Sequence, residues 1–188
     1  MSIVKDEHKE ALRKWHAMLQ EKRGLRASLR RSVTVNDACV SDGFHSLLMQ
    51  TQTLWKIEHQ EWRFTALAMV AALASHVRFI DERQSFAAQL GQSTGNNRVM
   101  SELRFKRLSA AKTPDDLLRQ LRRAVRLLNG SLNLISLAED IFVWCREHDE
   151  LMNHIRRQQR PTEFIRIRWA LDYYQAGDAA KEQQTEQE

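Results

Sequence analysis

Between Glu61 and Val77 the chain reads EWRFTALAMVAALASHV. Wound as a helix, this stretch is apolar on nearly every face and leaves no side for water. Its unbroken apolar run, Ala66–Ala74, is nine residues, well short of the ~20 that a membrane span needs. Such a helix belongs in the centre of a soluble bundle, so the rest of the chain must supply amphipathic helices to surround it. The 188 residues suit about one domain. A chain of that length buries roughly 70% of its unfolded surface without needing a staple.

Six Gly and two Pro are too few for a multi-turn β-sandwich, and they fall between periodic stretches as punctuation. Lys5 to Lys22 reads as a helix stopped by Gly24, and a short basic stretch, Leu25 to Arg31, follows. SVTVNDACV (Ser32–Val40) carries only a weak Val33/Val35 alternation and is read as a loop. Ser41-Asp42-Gly43 caps a helix through FHSLLMQT. Ser85 to Leu90 adds a turn or two, and GQSTGNN (Gly91–Asn97) reads as a linker. Arg98 to Ala110 is a basic helix. Thr113-Pro114-Asp115-Asp116 is a strong helix start, with a Thr cap, Pro at the first position and acids on the positive dipole end. That helix is expected to run to Asn129 and stop at Gly130.

Ser136-Leu137-Ala138-Glu139 fits a capping box, followed by Leu137, Ile141, Trp144, Cys145, His148, Leu151, Met152 and Ile155 at helical spacing. Pro161 ends that helix, and Glu163 to Tyr174 forms a last one. The expected architecture is an all-α helical bundle: a single domain over residues 1–176, in two small lobes of roughly 1–91 and 98–176. Residues 177–188 (GDAAKEQQTEQE) are expected to form a disordered acidic tail.

Catalytic and metal signals are weak. Cys145-x-x-His148, with His154 beyond, offers too few ligands for a metal site, and Cys145 and His148 both fall on the apolar stripe, as core residues do. Asp115-Asp116 and Glu139-Asp140 are better read as dipole partners near helix starts than as acid/base pairs, because helical neighbours point ~100° apart. No GxxxxGK[ST], GxSxG or HExxH motif occurs. No enzyme activity, cofactor or metal is therefore expected. Two cysteines, Cys39 and Cys145, cannot build a disulfide framework, and MSIVKDEHKE has no apolar signal core; a cytoplasmic location is expected.

The charge is more informative. Net charge is +5, but a net −3 from residues 177–188 leaves +8 on the remainder, and 21 of the 29 basic residues are Arg. Arg presents a planar fork that grips phosphates and stacks on bases, so a nucleic-acid partner is indicated. At ~100° per residue, Leu117, Leu118, Leu121, Ala124, Val125 and Leu128 share one sector of the helix that Thr113 opens. Arg119, Arg122, Arg123 and Arg126 fall opposite them. No acid occurs from Leu117 to Ala138, so these like charges repel unless something anionic lies across them. Lys22, Arg23, Arg26, Arg30 and Arg31 form a second cluster without an acid. Arg98, Arg104, Lys106, Arg107 and Lys112 form a third, with Glu102 alone against them. The tryptophans at 15, 55, 62, 144 and 169 lie mostly on apolar stripes and read as core. Arg166 and Arg168, on an otherwise apolar helix, read as structurally paired.

RASLRR (Arg26–Arg31), ALAMVAALASH (Ala66–His76), SFAAQLG (Ser85–Gly91), SELRFKRL (Ser101–Leu108), DDLLRQLRRAVRLLN (Asp115–Asn129), LAEDIFVW (Leu137–Trp144) and RWALDYY (Arg168–Tyr174) follow one another in that order. The order resembles the CasB family, the small subunit of the type I-E CRISPR surveillance complex Cascade, over roughly Leu25 to Tyr174. The resemblance implies a non-enzymatic, all-α subunit in antiviral defence. It also implies the partners: the backbone filament and large subunit of Cascade, a second copy of the chain, the guide RNA and the target DNA, whose displaced R-loop strand it helps to hold. On this sequence the implied contacts fall on Arg30, Arg31, Arg104, Arg107, Arg122 and Arg123. Arg26 shares the first motif, Lys112, Arg119 and Arg126 neighbour the others, and Arg146 is a weaker candidate.

Two other readings compete. A helix-turn-helix regulator would need Asn or Gln mixed with Arg on a recognition helix, and the Arg119–Arg126 face lacks that mixture apart from Gln120. An adaptor that binds acidic protein surfaces would use the same arginines without nucleic acid.

Overall fold

A computed structural model describes residues 2–94 and 97–185. The described residues form ten α-helices and four two-residue strands, and the expected all-α class holds. In order they are α1 (Asp6–Glu21), α2 (Arg23–Arg31), α3 (Val35–Cys39), α4 (Asp42–Trp55), α5 (Glu61–Ala74), β1 (Phe79–Ile80), α6 (Phe86–Gly91), β2 (Ser93–Thr94), β3 (Asn97–Arg98), α7 (Glu102–Ser109), α8 (Pro114–Leu127), β4 (Ser131–Leu132), α9 (Leu134–Met152) and α10 (Ile165–Thr185). Single 3₁₀ turns at Ile57–His59 and Pro161–Glu163 join their neighbours. No described helix is long and apolar enough to cross a membrane.

α5 takes the central place its composition requires. Every residue from Ala66 to Ala74 is fully buried, and α2, α3, α4, α8 and α9 all pack against it. Each of Leu67, Val70 and Leu73 contributes about 1.5–3 kcal/mol by leaving water. The five tryptophans are buried, as their apolar positions indicate; Trp55 of α4 stacks on Phe142 of α9 with ring centroids 4.5 Å apart. Arg168 lies 3.5 Å from the buried carboxylate of Asp140, and Arg166 donates to the Ala111 carbonyl at 2.8 Å. Both therefore have structural partners.

Several local expectations need correction. Ser32–Val40 is not a plain loop, because Thr34 accepts a hydrogen bond from the Asp37 amide while the Asp37 carboxylate accepts from the Thr34 amide, which starts α3. Gly24 lies in the first turn of α2, so the break falls at Lys22. α9 starts two residues before the proposed capping box, with the Asn133 side chain accepting from the Ser136 amide at 2.8 Å. This frees Glu139, which accepts from the amides of Ile3 and Val4 and from the Ser2 hydroxyl, tying the N-terminal segment to α9. Asp140 is likewise no dipole partner, since it lies inside α9. α9 ends at Met152, and Leu151, Met152 and Ile155 are exposed rather than core.

Of the expected linker, Gly95 and Asn96 lie outside the described residues, and the rest packs or pairs with its neighbours. Gly91 ends α6 against α10, so closely that a Cβ there would overlap the Tyr173 carbonyl. β2 and β3 pair antiparallel, Ser93 opposite Arg98. The buried residues on both sides, from Val4 to Tyr173, form one cluster. The proposed tail also begins inside a helix: α10 continues past Ala176 to Thr185, since Ala, Lys, Glu and Gln propagate a helix readily once it is anchored. The anchors are Ile165, Trp169 and Tyr173, all buried. Residues 186–188 lie outside the described residues.

Leu121 is fully buried on the inner face of α8. Leu121→Asp should prevent folding, because a buried carboxylate without a partner costs several kcal/mol. Circular dichroism melting of the purified variant checks this; a cooperative, wild-type-like transition would show that the inner face tolerates water.

Candidate nucleic-acid interface

α8 presents its two faces as the sequence indicates. Thr113 caps it by accepting from the Asp116 amide, Pro114 opens it, and Leu117, Leu118, Leu121, Ala124 and Val125 are buried. The arginines opposite them do not share one role. Arg119 is paired with Asp116 at 2.6 Å, an acid just outside the acid-free window. Arg122 is half-buried and donates to the Ser32 carbonyl at 2.5 Å, clamping α8 to the end of α2. Arg123 and Arg126 are exposed, and neither has a carboxylate partner among the described residues.

α2 divides similarly. Arg26 and Arg30 each donate Nε to the Ser75 carbonyl, at 2.9 and 3.0 Å. Ser75 ends α5, where carbonyls lack intrahelical partners and the dipole is negative. Burial and Arg30 lower the pKa of Arg26. Next to Ser75 stands His76, which the sequence reading passed over. Burial, then Arg122, Arg30, Arg126 and Arg26, push its pKa down to about 4. It is neutral at pH 7, with burial the largest cause of the shift and the four arginines adding to it.

Two concavities open on this surface. One, of about 230 Å³, is lined by Arg30, His76, Arg78, Val125, Arg126, Asn129 and Gly130. Arg78 was missed because it stands alone in a connecting segment rather than in a run of basic residues. Its amide donates to the Gly130 carbonyl at 2.7 Å, and β1 pairs in parallel with β4 just beyond, so its backbone is fixed. Gly130 has a φ of 74°, a conformation that L side chains rarely adopt, and a Cβ there would come within 2.8 Å of the His76 carbonyl.

The second concavity, about 370 Å³, lies between α7 and α8. Arg104, Arg107, Gln120, Arg123 and Arg126 surround Met100, Leu108 and Leu127. α7 is held in place from behind: Phe105 stacks on Tyr173 of α10 at 4.0 Å, and the Tyr173 hydroxyl donates to the Met100 carbonyl at 2.6 Å. Arg126 lines both concavities, which makes the basic surface continuous from α2 across the end of α5 to the α7–α8 groove. Among the described residues no carboxylate lines either one.

The remaining candidates lie apart. Arg31 is exposed on α2 but lines neither concavity. Lys112 borders a different, largely apolar groove with Trp144, His148, Leu151, Ile155, Phe164 and Ile167. Arg98 lies over the rings of Tyr173 and Tyr174, at 4.9 and 5.1 Å, and 3.4 Å from Asp178, so it is consumed by packing. Arg146 is part-buried, 3.9 Å from Glu150. Cys145 is buried with its Sγ 3.8 Å from the Met69 sulfur, and burial pushes the thiol far above its usual range. His148 is not a core residue but stacks on Trp144, centroids 5.1 Å apart. Among the described residues no group of three or more His, Cys, Asp or Glu side chains could hold a metal.

Comparison with curated proteins and with solved structures finds no match. Comparison with protein-family models matches residues 25–174 to "CRISPR-associated protein Cse2", the same small-subunit family that the ordered motifs resemble and a span that takes in α2 from Leu25 onward and both arginine-lined concavities. This chain therefore belongs to the CRISPR-associated Cse2 family, the small structural subunit of the type I-E Cascade complex.

Proposed function

We propose that, as a subunit of Cascade in the cytoplasm, this chain holds nucleic acid by its backbone. The continuous arginine surface grips phosphates of the target DNA and of the strand displaced from it. The observation that carries the reading is Arg126, which lines two concavities that hold other arginines and, among the described residues, no carboxylate. Arg30, Arg78, Arg104, Arg107, Arg123 and Arg126 make the phosphate contacts. Arg26, Arg119 and Arg122 set the surface in place through the Ser75, Asp116 and Ser32 oxygens. Arg31 and Lys112 lie outside these two concavities, where the guide RNA, a second copy or the backbone and large subunits would meet them.

Guides differ, so the subunit must accept any sequence. Arginine contact with phosphate gives affinity without reading bases. Exchange of a DNA duplex for a guide heteroduplex is near balanced, so modest backbone contacts can tip it. Gln120 lies 3.4 Å from Asp116 and 3.5 Å from Arg123 and is the only amide beside these arginines on α8, which speaks against base readout by a recognition helix.

Reversing Arg104, Arg123 and Arg126 together to Glu should leave folding and incorporation into Cascade intact, because all three are exposed and without a carboxylate partner. Capture of matched DNA by the assembled complex should fall by at least about tenfold, since each phosphate contact adds roughly −0.7 to −0.9 to the slope of log K against log salt. Neutralising any one of them should cost less than about fivefold. Incorporation followed by unchanged capture and R-loop lifetime would assign the surface to an acidic protein instead. Arg122→Glu should differ in kind, lowering stability by breaking the clamp to Ser32.

His76 gives an independent readout. The folded chain refuses a proton that the unfolded chain takes up near pH 6.5, so stability contributed by neutral His76 is present above pH 6.5 and is lost as pH falls towards about 4. Phosphates laid over Arg30 and Arg126 would offset their charge and raise the His76 pKa. Nuclear magnetic resonance titration of the His76 ring with and without oligonucleotide measures this; an unmoved midpoint would place the strand elsewhere.

A further inference from the structure

The α7–α8 groove has a floor that phosphate binding does not call for. Met100 and Leu108 are each 2% exposed, Leu127 is half-buried, and the arginines share the groove with these apolar side chains and, among the described residues, with no hydroxyl-bearing one. A phosphate pressed against such a floor would lose water and gain no hydrogen bonds from it. A planar, weakly polar ring would gain from it, and guanidinium planes stack on bases. The volume, about 370 Å³, lies at the small end of the range for ligand pockets. At the wall, the Gln120 amide makes only long contacts, 3.4 Å to Asp116 and 3.5 Å to Arg123, and can turn to a base edge.

We infer that this groove receives one unstacked base, whose flanking phosphates lie on Arg104, Arg107, Arg123 and Arg126. The inference rests on the phosphate-binding reading and deepens it. A base paired inside a duplex cannot reach the floor, so the groove favours unpaired strand over duplex at equal charge. It does so without choosing among sequences, because every base has a stacking face.

The test uses the full chain and two labelled strands of about 15 nucleotides, the upper end of common single-strand site sizes. One is oligothymidylate; the other is abasic with the same number of phosphates. Fluorescence anisotropy at low salt should give on the order of tenfold tighter binding of the thymidylate strand. Leu127→Ser, which removes the part-exposed apolar side chain from the floor and changes no charge, should bring the thymidylate affinity down towards the abasic value and leave the abasic affinity and its salt slope unchanged. Should that variant fold poorly, the wild-type chain carrying ¹³C-methyl methionine gives a second readout. The Met100 signal, assigned through Met100→Leu, should move with thymidylate and stay still with the abasic strand. Equal affinity for the two strands overturns the inference while leaving phosphate binding standing. So does a thymidylate preference that survives undiminished in folded Leu127→Ser, or a silent Met100. Binding of neither strand overturns the phosphate reading itself, and an acidic, aromatic peptide then becomes the occupant.

Discussion

The structure is organised by the need to bury α5 on all sides and then to end it. Burial brings α2, α3, α4, α8 and α9 around it. Its C-terminus lies inside the ring of helices that covers it, and the last carbonyls there need donors. Arg26 and Arg30 supply two to Ser75, while Gln20 and Arg26 reach the Val77 carbonyl at 3.2 and 3.5 Å. The same end of the core that demands cations is thus where cations accumulate, so the position of the basic surface follows from the position of the apolar helix.

This coupling explains why the arginines on α2 and α8 differ so much although they look alike in the sequence. Arg30 donates through Nε and still lines the concavity with Arg78 and Arg126. Arg122 turns inward to Ser32, and its Nε is buried without a hydrogen-bond partner among the described residues. Arg119 is answered one helical turn back by Asp116. Cations held by neutral carbonyls keep their full charge, whereas those paired with carboxylates do not. The Ser75 and Ser32 oxygens therefore fix guanidiniums in place without cancelling them, and their remaining charge adds to burial in holding the His76 pKa down.

The parts of the fold legible in the sequence were those fixed by one-dimensional pattern: the all-apolar α5, the leucine face of α8, the Thr113-Pro114 start, and the tryptophans in the core. Thr34 and Asp37 stand at capping-box spacing, so α3 was readable too, but the Val33/Val35 alternation drew attention away from it. Other features depend on partners far apart in the chain. Nothing near Glu139 says that it will hold the amides of Ile3 and Val4. Nothing near Arg98 says that two tyrosines will cover it. Arg78 joins Arg30 and Arg126 only because β1 pairs with β4 and Gly130 turns with a positive φ. A count of basic residues finds the face but cannot separate the cations that build it from those that serve it.

That separation bears on how such a subunit can act within a larger assembly. A surface whose cations all hung on flexible side chains would lose conformational freedom on meeting a strand, at about 1.5–2 kcal/mol for each Arg ordered. Here Arg30 is already tied to Ser75 through Nε and Arg78 is fixed at its backbone by Gly130, while α7 is held against Tyr173 by Phe105. Part of the ordering cost is met when the chain folds, not when the strand arrives. On the proposed function, where duplex and heteroduplex are nearly balanced, a preset surface of modest affinity would be enough to shift the equilibrium. Its strength would come from phosphates, so the shift would be the same for every target.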